Sequence, residues 1–262
     1  MAKKYAQESL GNITVLRRLL KFPQENPEWS KEDNYTDILP ALLVGQWCNN
    51  YEGDKGIISK MSGLSYDEYI RKLSKWLDKP DSPIIRIGNI WRIHSFFDSW
   101  IFLSKYIIDS DFDNLENVFI DSLSEIDPSL DQEDVNGILF YKAGKYSKNI
   151  KEGITQSLLF ISCFKNNFEI KKSNPHLWVD GVIAKLLNNK DVRFWKSLDR
   201  LLPLIAEASP DSFLYHVESF FEIENSPIKS LFIEKKGYLS NTSYHTGLLW
   251  ALECIAWDPQ YL

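Results

Sequence analysis

In the first third of the chain, apolar positions recur at helical spacing in short runs that proline and glycine interrupt. Leu10, Ile13, Val15, Leu16, Leu19 and Leu20 predict a helix over 8–21, closed by Pro23 and Pro27 and followed by a polar linker at 30–36. A second helix is expected over 37–48, burying Ile38, Leu39, Leu42, Leu43 and Trp47. Pro40 would sit in its first turn, where a missing N–H costs little. A shorter segment through Ile57, Ile58 and Met61 stops at Gly63. Ser65 and Glu68 then read as a capping box, ahead of the stripe Tyr66, Tyr69, Ile70, Leu73, Trp76 and Leu77, which Pro80 and Pro83 close.

The period changes at Ile84. Ile85, Ile87, Trp91 and Ile93 mix with Arg86, Asn89, Arg92 and His94 in the near-alternation of a half-buried two-stranded sheet. Gly88-Asn89 supplies the turn, and a new helix opens at Ser95. Further helices are expected near 96–109, 112–125, 133–145, 149–165, 175–188, 191–206, 210–222, 227–235 and 245–256, with no further strand. Asn174-Pro175, Ser209-Pro210 and Ser226-Pro227 have the form of an N-cap followed by an N1 proline. Short connections between these segments suit an irregular helical stack.

Three helical segments followed by a hairpin is the order of a winged-helix unit. The fold class expected is mainly α, a winged-helix unit with one β-hairpin followed by an irregular α-helical repeat array. The expected domains are an N-terminal helix and linker at 1–33, the winged helix at 34–110 and the helical repeats at 111–262. An isolated hairpin is marginal, so Trp91 and Trp76 are expected to bury in the core that backs it.

Composition narrows the function classes. The chain has 262 residues, 44% of them hydrophobic, with nine Trp and fifteen Phe, enough for real cores. Cys48, Cys163 and Cys254 lie far apart, which fits free thiols in a reducing cytoplasm rather than a disulfide scaffold or a zinc cluster. No apolar run is long enough for a membrane span. A net charge of −6 gives no global reason to bind nucleic acid. The charge is uneven, however. Residues 109–134 carry ten acidic and no basic residues, and 142–172 carry seven lysines against Glu152 and Glu169.

No phosphate-cradling glycine loop, nucleophile elbow or zinc-binding helix motif occurs, so neither a catalytic nor a metal site is expected. His94/Asp98 and His176/Asp180 are i,i+4 pairs that read as ordinary hydrogen-bonded pairs. Candidate anion or nucleic-acid contacts are Arg71, Lys72 and Lys75 on the third helix, Arg86 and Arg92 on the hairpin, and Lys145, Lys148 and Lys151 in the lysine-rich block. Segment 34–110 holds nine basic and nine acidic residues and is therefore neutral, which weakens the phosphate-driven part of DNA affinity.

The run W-R-I-H-S-F-F-D-S-W at 91–100 resembles the end of the winged-helix domain in STAND-class signalling NTPases. There a Met-His-Asp motif follows the wing, and its histidine contacts the phosphates of bound ADP. His94 matches in position, while Ile93 and Ser95 stand where the family has Met and Asp. By this resemblance His94 is the cofactor-binding residue; the alternative is a structural histidine. The runs G-N-I-T-V-L-R-R (11–18), L-L-V-G-Q-W (42–47), G-L-S-Y (63–66) and H-T-G-L-L-W-A-L-E-C-I-A-W-D-P-Q-Y-L (245–262) resemble the middle of very large bacterial NTPases associated with antiphage defence.

The resemblance implies a cytoplasmic, non-catalytic module linking ligand sensing to nucleotide-gated assembly. This chain would hold no cofactor itself, ATP or ADP being bound by a longer parent protein, and both ends would be cuts within that protein. Its partners would be other domains of the same polypeptide, a phage protein and further copies, with no membrane. The rival expectation is a stand-alone winged-helix regulator that binds nucleic acid.

Overall fold

A computed structural model describes residues 20, 26–79, 81–131, 143–163, 169–233, 235–236, 241–242 and 244–261. The protein is mainly helical, with one three-stranded antiparallel sheet and a short two-stranded pair. The chain divides into two compact units. The first comprises 1–115, 146–157 and 164–173, and the second 116–145, 158–163 and 174–262.

In the first unit, short 3-10 turns at Glu28–Lys31 and Tyr35–Ile38 lead into α1 (Leu39–Val44). The expected helix over 37–48 does not run through. It ends at Gly45, whose φ of 76° suits a residue without a side chain, and Gln46–Cys48 forms strand β1. Helices α2 (Glu52–Ser62) and α3 (Tyr66–Leu77) follow, then β2 (Ile84–Ile87) and β3 (Ile90–Ile93). The strand order is β1-β3-β2. The expected hairpin is therefore the outer two-thirds of a sheet whose third strand comes from an apolar run assigned to helix.

Register fixes the core. Trp47 pairs with Trp91 across β1 and β3, and their indoles stack with centroids 5.8 Å apart and planes 1° from parallel. The capping box at Ser65 and Glu68 is present and opens α3, which buries Tyr69, Leu73 and Trp76 against the rest of the unit. The Tyr69 hydroxyl donates to the Asp37 carbonyl at 2.9 Å and accepts from the Ala41 N–H at 3.0 Å. One phenol thus satisfies backbone at the start of α1, and burial pushes its pKa up. Beyond β3 come α4 (Phe96–Leu103), a 3-10 turn at Ser104–Tyr106 and α5 (Asp109–Leu123), which passes into the second unit.

Helix α6 (Lys148–Cys163) begins in the first unit, where it lies backbone-to-backbone on the β1 entry. A side chain at Gly153 would meet the Val44 carbonyl oxygen at 2.3 Å, which only glycine avoids. The start of α6 is tied to a buried carboxylate. Asp54 accepts from the Cys48 N–H at 2.8 Å, the Ser147 N–H at 2.9 Å and the Ser147 hydroxyl at 2.5 Å. Ser147 in turn caps the Ile150 N–H at 3.1 Å.

The second unit is built from α7 (Pro175–Leu187), α8 (Val192–Ser197), α9 (Leu202–Ala208), α10 (Pro210–Phe221) and α11 (Thr246–Ala256). Helix α7 packs on α10, and α9 packs on both α10 and α11. The core holds Val179, Ile183, Leu187, Phe194, Trp195, Leu202, Ile205 and Phe213. Trp195 closes its own polar requirement by donating to the Asn189 carbonyl at 2.7 Å.

Several expected helices differ. The one over 191–206 is broken, with a 3-10 turn at Asp199–Leu201 and a restart where Pro203 occupies the first turn of α9. The one over 227–235 shrinks to a 3-10 turn at Lys229–Phe232. Contrary to the expectation of no further strand, β4 (Lys235–Lys236) pairs with β5 (Asn241–Thr242). Of the helix expected at 133–145, only 143–145 lie among the described residues, and they are not helical. The helix at 8–21 lies outside the described residues apart from Leu20.

Candidate functional site

The segment singled out by the sequence, the end of the hairpin, forms a buried polar junction. The backbone of His94 leaves β3 by donating to the Pro83 carbonyl at 2.7 Å, and its side chain is only 2% exposed. Ser95 then adopts φ 51° and ψ 63°, a left-handed conformation that non-glycine residues rarely occupy. Its hydroxyl donates to Asp98 Oδ2 at 2.5 Å, inside the first turn of α4. His94, Ser95 and Asp98 are all buried, so an outside ligand reaches the imidazole only after this junction opens.

The basic candidates do not form one surface. Lys75 pairs with Asp37 at 3.0 Å, and Lys72 reaches the same carboxylate at 3.8 Å. Lys79 pairs with Glu32. Arg71 is exposed and lowers the pKa of Glu68, although the Ser65 hydrogen bonds of the capping box contribute more to that shift. On the hairpin, Arg86 lies opposite Trp91, with its guanidinium 5.5 Å from the indole centroid and its Nε donating to the Gly88 carbonyl at 3.0 Å. Arg92 is the next residue along β3 from Trp91, so pleating directs it to the opposite face. Two arginines that looked like neighbours in the sequence are separated by the sheet.

The lysine-rich block also splits. Exposed Lys145 belongs to the second unit, where its N–H is held by the Glu125 carboxylate. Lys148 and Lys151 fall in the first unit, on the opening turn of α6, and the Lys151 charge bears on Asp54. Among the described residues, no group of three or more His, Cys, Asp or Glu is placed to hold a metal ion. None of the described helices is long and apolar enough to cross a membrane.

Open clefts occur in both units. In the first unit, Asn49, Glu52, Lys55, Gly56, Ser59, Tyr66 and Asp67 line about 550 Å3 between the openings of α2 and α3. Tyr66 braces this wall, accepting from Trp47 Nε1 at 3.2 Å and donating to Asn49 Oδ1. In the second unit, α7 and α10 border about 670 Å3, reached by Lys185, Asp211, Tyr215 and His216. The His216 Nδ1 is bonded to the Ser212 carbonyl at 2.7 Å. Ser212 also lines this cleft, with its hydroxyl donating to the Asp180 carbonyl at 3.2 Å.

Sequence reasoning missed Asp54. It stands in the first turn of α2, where an acid normally meets water and the helix dipole. Burial pushes its pKa up, the three hydrogen bonds and Lys151 opposing. For an acid whose folded pKa is raised, the folded chain holds the proton more tightly than the unfolded one. The resulting stability is complete below the unfolded value of about 3.9 and is lost as pH rises through the folded pKa. Denaturant melts at stepped pH should therefore show the wild-type chain gaining on Asp54→Asn as pH falls from 7 toward about 4. A difference that stays flat or shrinks would contradict this assignment.

Compared with known proteins, the chain matches no protein family, no curated protein and no solved structure.

Proposed function

We propose that this chain is a non-catalytic regulatory module in which a winged-helix unit couples ligand sensing by a helical array to nucleotide-gated assembly of a STAND-like antiviral NTPase. One observation carries this reading. The order α1-β1-α2-α3-β2-β3, with strands arranged β1-β3-β2, supports a winged-helix reading, and a histidine stands between the last strand and the next helix. The resemblance of 91–100 to the end of such domains supports it. The buried, conformationally restrained His94–Ser95 junction suits an element with two states, which a ligand shifts only by binding one of them better. His94 would meet the phosphates of ADP in the closed state of a longer parent protein.

The test uses the chain alone and then the reading frame that contains it. The purified chain is expected not to hydrolyse ATP, and turnover by it would end the proposal. In a longer frame carrying a phosphate-binding loop, His94→Ala should weaken retention of ADP.

A nucleic-acid reader is the less favoured reading, because Lys72 and Lys75 of α3 already share the Asp37 carboxylate. Titration with duplex DNA at about 50 mM salt should show no saturable binding. The triple change Lys145→Ala, Lys148→Ala, Lys151→Ala should alter neither that result nor the melting temperature by more than a few degrees, since exposed pairs contribute only about 0–1 kcal/mol each. A salt-sensitive complex that the triple change abolishes would reverse this choice.

A further inference from the structure

Helix α11 carries apolar residues on its outward face as well as on its inward one. Gly247, Leu248, Ala251 and Ile255 form the inward face, buried against the rest of the second unit, chiefly α9. The Gly247 N–H is fixed to Asp199 Oδ1 at 2.8 Å, which anchors the start of the helix. The outward face carries Leu249 at 47%, Trp250 at 61% and Trp257 at 83% exposure, with the exposed Cys254 between the two indoles at i+4. Phe232, itself 46% exposed, stacks on His245 at the start of the helix with centroids 5.2 Å apart.

A large aromatic presents about 150–250 Å2. This face therefore offers apolar area on the order of 500 Å2, near the upper end of what monomers leave uncovered. Exposed Trp is the residue most enriched in binding hot spots. The helix beneath is held rigidly from its other side, so the two indoles are displayed with little ordering cost.

The charge says what fits. From Thr246 to Tyr261 the only charged residues are Glu253 and Asp258, and no lysine or arginine occurs. Glu253 is exposed within the apolar face, one turn from both Trp250 and Trp257. A second copy docked by the same face about a two-fold axis near the middle of α11 would bring two Glu253 carboxylates together. Nucleic acid would meet the wrong sign.

We infer that the outward face of α11 is a docking surface for an amphipathic helix of a partner protein, one that lays apolar residues over Trp250 and Trp257 and sets a lysine or arginine against Glu253. This is helix-on-helix recognition through anchors at i, i+4 and i+7. It stands independently of the winged-helix reading, because it uses only residues of the second unit.

The probe is a pair of synthetic helix-forming peptides of about five turns, identical in apolar pattern. One has lysine and the other glutamate at every polar position. The wild-type chain should bind the Leu/Lys peptide saturably and one-to-one by calorimetry, and the Leu/Glu peptide at least about tenfold more weakly. The double change Trp250→Ala, Trp257→Ala should cost roughly tenfold or more in affinity while leaving the circular-dichroism melt unchanged. Glu253→Lys should invert the preference between the peptides, and this second variant keeps the test valid if the double variant unfolds.

Equal binding of both peptides would overturn the proposal, as would a Trp-deleted variant that folds and binds normally. Mass measured by light scattering that rises to a dimer with concentration, or binding to zwitterionic phospholipid vesicles that removal of the tryptophans abolishes, would assign the face to a second copy or to a membrane instead.

Discussion

Replacing Trp91 by alanine should remove about 3–5 kcal/mol of stability, the cost of deleting a large buried aromatic. Small domains hold only about 5–15 kcal/mol in total, so the expected product is insoluble or lacks fixed side-chain packing. The reason is positional. Trp91 is fully buried on the central strand, stacks on Trp47 on one side and carries Arg86 on the other. Its deletion would open a cavity that two edge strands cannot close. Near-ultraviolet circular dichroism and a denaturant melt would measure the effect. A well-folded Trp91→Ala protein with an unchanged midpoint would be incompatible with β3 as the buried central strand.

Adding one methyl group at either of two glycines should do comparable damage, and each tests a different unit. A Cβ at Gly247 would stand 1.8 Å from the Asp199 carbonyl oxygen, and one at Gly153 would stand 2.3 Å from that of Val44. Both obstacles are backbone, which cannot swing aside as a side chain can. Overpacking typically costs about 1–3 kcal/mol and occasionally more. Contacts this short put Gly247→Ala and Gly153→Ala at the upper end, against a gain of up to about 1 kcal/mol in helix propensity at Gly153. Gly56→Ala is the control. It lies within α2 with open space around its Cβ direction, so it should raise the melting temperature slightly. A Gly153→Ala chain that melts like Gly56→Ala would mean that α6 does not lie on the β1 entry.

What could be read from the sequence depended on distance along the chain. The capping box spans Ser65 to Glu68 and the hairpin turns within two residues, so local chemistry announced both. Strand β1 was hidden because the run from Ile38 to Cys48 is apolar apart from Gln46, and a short apolar run suits a helix and a strand equally. Gly45 was the available clue, and it marks the point where helix gives way to strand. Pro203 could likewise have split the helix over 191–206.

The polar contacts were out of reach for another reason. Asp54 meets Ser147 across 93 positions, and Lys75 meets Asp37 across 38. Nothing in local periodicity reports such meetings. The lysines of α3 therefore looked available when they are already committed, and an ordinary helix-opening acid turned out to be the buried tie to α6.

The paired indoles of Trp47 and Trp91 also bear on which parts of the sheet can vary. A one-residue slip of β1 along β3 would set Trp47 against Arg92 or Ile90 and turn its indole to the other face, so the stack works as a register pin. The hairpin tip is held by other means. Gly88 sits at φ 59°, and the Asn89 carbonyl accepts from the Asn49 N–H at 2.8 Å, which ties the tip to the end of β1. Turn length sets the β2–β3 register, so what is left to drift in sequence is the exposed side chain of Ile87, while the turn glycine and the tryptophan pair beneath it stay fixed.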